Sequence, residues 1–271
     1  MTDQNPCVPH WNADRAIREI KRLQKSRRYR DERKTFFAEG VRNFVQLVSR
    51  GYSIELIFHS QKLLTSPIAR KMVRQLRRSG VPTLGVSPET FRTISLTQRA
   101  SGVSAIVRQR WLPLTKAEPG QGLCWIALSH VRCAGNLGTL IRTSEAVGAA
   151  GFILVGENVD PFDPVVVRAS MGSVFHQHFV RAQSDEFLLW CRDRNCTLIG
   201  ATIDGEINFH EFPFPTSPVL YLGEERTGLT ELQQSECHQR LRIPMTGRAD
   251  SLNLGVAGSL LLYEIFRHRT N

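Results

Sequence analysis

Three short segments rich in glycine and polar residues constrain this chain more than any other feature. They are Gly135-Asn136-Leu137-Gly138 followed by Arg142-Thr143, then Gly223-Glu224-Glu225-Arg226-Thr227-Gly228, and finally Ser251-Leu252-Asn253-Leu254. The first and third open apolar-rich helical patterns, and the second follows an apolar strand pattern. Glycine is used where backbone turns tightly or comes close to a ligand. Ordinary turns rarely need Asn, Arg, Glu and Ser in the same places, so the segments read as parts of one site. Each also has a plain structural reading: Asn136 as a helix N-cap, Arg142 as a solvated charge, Glu225 as a capping carboxylate, Ser251 and Asn253 as a helix start.

The surrounding pattern alternates strands with helices. Ala16, Ile17, Ile20 and Leu23 recur at helical spacing, which predicts an amphipathic helix from Asp14 to about Ser26. Strands are predicted at Phe36-Phe37-Ala38, Ile54 to Phe58, Val81 to Val86 and Gly102 to Val107. Helices are predicted from Gly40 to Gly51, from Ser66-Pro67 to Gly80, and from Ser87-Pro88. This alternation predicts a small α/β domain with a largely parallel sheet. Residues 109–121, with Pro113, Pro119 and Gly120 and no periodicity, predict a linker. Alternation then resumes, with strands over 123–128, 151–155, 197–201 and 219–222 and helices over 136–147, 184–194 and 252–269 and from Asp163-Pro164. The expected division is a basic N-terminal helix at 1–30, a domain at 31–108, a linker at 109–121 and a second domain at 122–271.

Charge narrows the choice of partner. The chain carries a net +10, and residues 15–34 hold ten Lys and Arg against Glu19, Asp31 and Glu32, a local excess of +7. The helix predicted after Ser66 adds Arg70, Lys71, Arg74, Arg77 and Arg78. Such clusters attract polyanions by neutralising phosphates and releasing counterions. The competing reading is a solvated helix face. Six scattered cysteines, with no C-x-x-C pair and no histidine at finger spacing, favour reduced thiols in a cytosolic protein over a zinc site, and no metal is expected.

Met1 to Asp14 holds no Lys, Arg or apolar stretch, which argues against a secretory signal. The longest apolar run, Leu252 to Phe266, is shorter than the ~20 residues that span a bilayer. A soluble, cytoplasmic protein without membrane contact is expected. There is no G-x-G-x-x-G after a strand, no G-x-x-x-x-G-K-[ST], and no H-x-E with C-x-x-C. A dinucleotide-binding fold, a P-loop NTPase and a zinc deaminase therefore have no anchor.

In this order and at these separations, the three segments resemble the motifs of the SpoU/TrmH family of RNA ribose methyltransferases. Asn136, Gly138, Arg142 and Thr143 match the family's N-x-G-x-x-x-R-T. Gly223 to Gly228 matches G-x-E-x-x-G and selects Glu225 over Glu224 as the motif carboxylate. Ile243-Pro244-Met245 followed by Ser251-Leu252-Asn253 matches the third motif. The chain departs from the family at Ala134, where proline is common. Residues 30–107, above all Phe36-Phe37-Ala38-Glu39-Gly40-Val41, are more weakly similar to the ribosomal-protein-like substrate-binding domain that precedes the catalytic domain in many members.

The resemblance implies an α/β fold whose C-terminal domain is a trefoil-knotted methyltransferase, preceded by a smaller α/β substrate-binding domain. It implies S-adenosylmethionine as cofactor, held by Thr202, Leu222, Gly223, Ile243, Met245 and Leu252. It gives Arg142, Asn136, Glu225, Ser251 and Asn253 as the catalytic set. Arg142 would activate the ribose hydroxyl or anchor an RNA phosphate. Structured RNA is the implied partner, ribosomal in the first place with transfer RNA as the alternative, and a homodimer through the C-terminal domain is expected. Two rivals stay open at this point: a non-catalytic RNA-binding or ribosome-assembly protein of the same fold, and base methylation.

Overall fold

The structure, a computed structural model, describes residues 11–270 and separates into two units, one ending at Gln109 and the other beginning at Arg110. In the first unit, α1 (Ala13–Lys25) starts where Asn12 accepts a hydrogen bond from the Arg15 N–H, and it buries Ala16, Ile20 and Leu23. Ser26 ends α1 and caps α2 (Arg27–Arg33) by accepting from the Tyr29 N–H. There follow β1 (Thr35–Glu39), α3 (Val41–Ser49), β2 (Ile54–His59), α4 (Pro67–Arg78), β3 (Thr83–Gly85), α5 (Pro88–Arg92) and β4 (Val103–Arg108). Ser66 and Ser87 cap α4 and α5, each ahead of a proline in the first turn, where the missing N–H costs nothing. The strand order is β1-β4-β2-β3, and Phe37, Leu56, Phe58 and Ile106 form the centre of the core.

This sheet is not largely parallel. β4 runs antiparallel to both β1 and β2, and β2 with β3 is the parallel pair. A parallel return needs a crossover long enough to carry the chain back along the sheet. α4 provides one between β2 and β3. The connection from β3 to β4, residues 86–102, is long enough for another, but its helix α5 has only five residues and does not carry the chain back along the sheet. The chain behind it stays near the end of β2, where the Ser60 N–H donates to the Gly102 carbonyl (2.9 Å). β4 therefore starts where β2 ends and runs back.

The second unit contains β5 (Trp125–His130), α6 (Ala134–Ala146), β6 (Gly151–Asn158), α7 (Pro164–Ala169), β7 (His178–Ala182) and α8 (Ser184–Asp193). After these come β8 (Thr197–Ala201), β9 (Ile207–Asn208), β10 (Pro218–Leu222), α9 (Glu231–Ser235), β11 (Gln239–Arg242) and α10 (Leu254–Thr270). The sheet order is β7-β6-β5-β10-β8-β11-β9, with every pairing parallel. Open parallel sheets bind ligands beyond the carboxyl ends of their strands, at points where strand order reverses. β10 lies between β5 and β8, so the loop after Leu222 sits in the middle of that edge.

The segment expected to link the domains packs on the second unit. The Leu112 N–H donates to the Phe179 carbonyl (2.8 Å), Trp190 Nε1 to the Ala117 carbonyl (3.2 Å) and Trp125 Nε1 to the Glu118 carbonyl (2.8 Å). α10 packs on α6, with Ser259 Oγ bonded to Thr143 Oγ1 (2.9 Å). Its other side leaves Val256, Leu260, Tyr263 and Phe266 exposed. Among the described residues no helix is long and apolar enough to cross a membrane, and no group of three His, Cys, Asp or Glu is placed to hold a metal.

Candidate active site

A cavity of about 320 Å³ opens at the carboxyl ends of β8, β10 and β11. That is within the usual size of a small-molecule site, about 300–1,000 Å³. The structure brings Thr202, Leu222, Gly223, Ile243, Met245 and Leu252 together around it, with Ser251 and Glu225 also on its wall. Four of those first six residues are apolar. Thr202 is the polar exception: its Oγ1 is buried and has no hydrogen-bond partner. Such an orphan costs about 1–3 kcal/mol until it finds one. A ligand with an apolar body and a few polar groups fits these walls.

Gly223 explains how β10 delivers its loop. A Cβ at this position would lie 2.1 Å from the carbonyl carbon of Gly228. The loop is closed that tightly because the Glu224 N–H donates to the Gly228 carbonyl (3.1 Å) and the Gly228 N–H returns to the Glu224 carbonyl (2.9 Å). Glu225 is thereby turned toward the loop between β5 and α6.

The Glu225 carboxylate accepts from the backbone N–H of Arg132 (2.9 Å), the backbone N–H of Cys133 (3.1 Å) and Nδ2 of Asn136 (3.1 Å). Asn136 Oδ1 accepts from Asn253 Nδ2 (2.7 Å), across 117 residues of sequence. Asn253 Oδ1 in turn accepts from the N–H groups of Gly255 (2.9 Å) and Val256 (3.3 Å), capping α10. One chain of hydrogen bonds thus joins all three motifs. Burial pushes the Glu225 carboxyl up, but bonds from Arg132, Cys133 and Asn136 outweigh it and hold the group below its ordinary range.

Two plain readings from the sequence change here. Asn136 is not the N-cap of α6; Cys133 occupies that position, without a side-chain cap bond. Asn136 lies inside the first turn and spends its amide on the other two motifs. Asn253 is a cap and a bridge at once.

Arg142 is not brought to this cavity. It is exposed on α6, absent from the cavity wall, and makes no hydrogen bond or ion pair among the described residues. Its six-residue offset from Asn136 amounts to roughly 9 Å along the helix. Sequence reasoning also passed over Arg132 and Glu224, which pair at 3.0 Å beside the network. Arg132 is half-exposed, so the pair contributes little stability. Its place is set by its own N–H on Glu225.

Residues 124–263 match the SpoU rRNA Methylase family, and residues 14–105 match the MRM3-like substrate binding domain. Among solved structures, an AdoMet-bound rRNA methyltransferase from Sinorhizobium meliloti is 33% identical, covers 99% of this chain and 97% of that one, and superposes with a TM-score of 0.85. The 23S rRNA (uridine(2479)-2'-O)-methyltransferase of Streptomyces viridochromogenes is 27% identical over 99% of this chain and 92% of its own length. The 23S rRNA (guanosine(2553)-2'-O)-methyltransferase RlmP of Bacillus subtilis (strain 168) is 24% identical over 92% and 95%.

Proposed function

The chain belongs to the SpoU rRNA methylase family, and from that membership we propose that it transfers a methyl group from S-adenosylmethionine to a ribose 2'-hydroxyl of ribosomal RNA. The observation that carries this reading is the hydrogen-bonded union of Glu225, Asn136 and Asn253 beside a largely apolar cavity with one orphaned hydroxyl. The two ribosomal RNA relatives act on the ribose oxygen of nucleotides with different bases, uridine and guanosine. Their shared chemistry supports ribose over base methylation.

When bound, the cofactor supplies an electrophilic methyl group on a sulfonium. Leu222, Ile243, Met245 and Leu252 would hold it and exclude water, and Thr202 Oγ1 would be available to one of its polar groups. In-line displacement depends on alignment, which can supply several kcal/mol of a barrier. Glu225, Asn136 and Asn253 provide it by holding the three loops in fixed relation. Ser251, at the cavity wall, orients the ribose.

A guanidinium in a protein is a fixed positive charge rather than a base. Arg142 serves by binding an RNA phosphate and making the adjacent hydroxyl more acidic through its charge. Since Arg142 lies away from the cavity of its own chain, a second chain is the natural source of the arginine at each site. The exposed Val256, Leu260, Tyr263 and Phe266 on α10 support a homodimer there. A trefoil-knotted path is part of the same proposal, supported by the place of β10 between β5 and β8 and by the packing of α10 on α6. The first unit binds the RNA and the second performs the chemistry, in the cytoplasm and without metal.

Calorimetry with S-adenosylmethionine on chelator-treated protein tests the reading. Binding with about one cofactor per chain is expected. A chain that binds none is not a methyltransferase.

A further inference from the structure

The ten basic residues between 15 and 34 look equivalent in sequence, and the structure sorts them. Arg30 is 2% exposed and donates to the Leu23 carbonyl (2.6 Å). Arg27 pairs with Asp31, and Arg33 with Glu19 and Glu55. Arg15 lies over the Trp11 ring. Four cations converge instead on one concavity: Lys21, Arg22, Lys25 and Arg28 line a groove of about 480 Å³ where α1 meets α2.

The groove is built rather than incidental. Ser26 fixes the bend between the helices by ending one and capping the other. The Arg22 guanidinium lies 3.8 Å above the Tyr29 ring, and the Tyr29 hydroxyl is tied to Glu19 (2.7 Å). Glu32, the acid on the wall, is bonded to Arg28 (2.7 Å). Lys21 and Lys25 are exposed and have no ion pair among the described residues.

We propose that the α1–α2 groove is a binding site for the phosphodiester backbone of the substrate RNA, with Lys21 and Lys25 as phosphate contacts and Arg22, flat on Tyr29, beside them. This rests on the RNA methyltransferase reading and adds to it a place for the RNA. The rival basic surface is weaker. On α4, Arg70 is spent on the carbonyls of Leu64 and Gln61. Lys71, Arg74, Arg77 and Arg78 lie exposed along a single helix. A single convex helix offers a phosphate fewer side chains at once than a groove between two helices does.

The test is binding of full-length protein to a ribosomal RNA fragment, by fluorescence anisotropy over a salt series, for the wild type, Lys21→Gln/Lys25→Gln and Lys71→Gln/Arg74→Gln. Loss of two phosphate contacts should lower the slope of log K against log salt by about 1.4–1.8, and weaken binding roughly 25- to 60-fold at 0.1 M salt. The groove variant should show that loss, with unchanged S-adenosylmethionine affinity by calorimetry as evidence that it is folded. Millimolar inorganic phosphate should displace RNA no better than chloride at equal ionic strength, because the site takes a polyanion. A groove variant with wild-type affinity and slope overturns the proposal. So does the full loss appearing in the α4 variant instead, or selective displacement by inorganic phosphate. A wild type that binds neither RNA nor cofactor would strike the methyltransferase reading, whereas one that binds both with an indifferent groove variant strikes the groove alone.

Discussion

Gly223→Ala is the perturbation whose size follows most directly from the structure. The added methyl would meet the Gly228 carbonyl carbon at 2.1 Å, and the Gly228 oxygen and Leu229 nitrogen at 2.3 Å each. Ordinary Cβ contacts begin at 3.4 Å, so the loop must part by more than an ångström. No flexible side chain can move aside, because all three atoms are backbone. The paired hydrogen bonds between Glu224 and Gly228 resist the opening. Gly223 itself has no positive φ, so alanine brings no conformational penalty of its own and the clash is the whole effect. Overpacking of this kind costs about 1–3 kcal/mol. The loop carries both a cavity wall and Glu225, so that cost falls on the binding-competent shape. S-adenosylmethionine should bind roughly 5- to 150-fold more weakly. Calorimetry reads the affinity, and a thermal scan of the cofactor-free protein shows whether the fold survives. Gly228→Ala is the comparison: it has open space but a φ of +65°, so it meets only left-handed strain, about 1–2 kcal/mol. Cofactor binding by Gly223→Ala at wild-type strength would mean that the closed Gly223–Gly228 loop does not shape the cavity.

Arg142→Ala should leave cofactor affinity unchanged, since the residue is off the cavity wall, and should lower single-turnover methyl transfer by about two orders of magnitude or more; a fully active variant contradicts its role. Glu225 is held below its ordinary range in the folded state, so its contribution to stability is complete above about pH 4.3 and is lost as pH falls through the lowered folded value. The stability gap between wild type and Glu225→Gln in urea should therefore shrink below about pH 4.3, and a gap that widens on acidification would be the wrong sign. Light scattering at micromolar concentration should show a dimer for the wild type and a monomer for Leu260→Glu/Tyr263→Glu, which places two charges on the exposed face of α10; a monomeric wild type removes the dimer.

Much of the fold was legible because its signals are local. Ser66-Pro67 and Ser87-Pro88 mark helix starts by capping chemistry that needs no tertiary partner. The orientation of β4 was not legible, because it depends on where the connection over residues 86–102 returns the chain and not on the strand's own residues. β11 was missed because Gln239-Arg240-Leu241-Arg242 carries a single apolar residue and draws its strand character from its neighbours β8 and β9. The motif residues stood out by composition, yet the bonds from Glu225 to Asn136 and from Asn136 to Asn253 span 89 and 117 residues and leave no local trace. Charge was the least legible. Nothing in the run from Arg15 to Lys34 distinguishes the buried Arg30 from the exposed Lys21 and Lys25.

Methyl transfer to ribose is read out by incubating the protein with methyl-labelled S-adenosylmethionine and unmodified ribosomal RNA, then digesting the RNA to nucleosides. Label is expected in a single 2'-O-methylnucleoside, with the neighbouring phosphodiester made resistant to alkali because its 2'-hydroxyl is blocked. Label on a base, or ribosomal RNA left unlabelled by protein that binds the cofactor, would contradict methyl transfer to ribose.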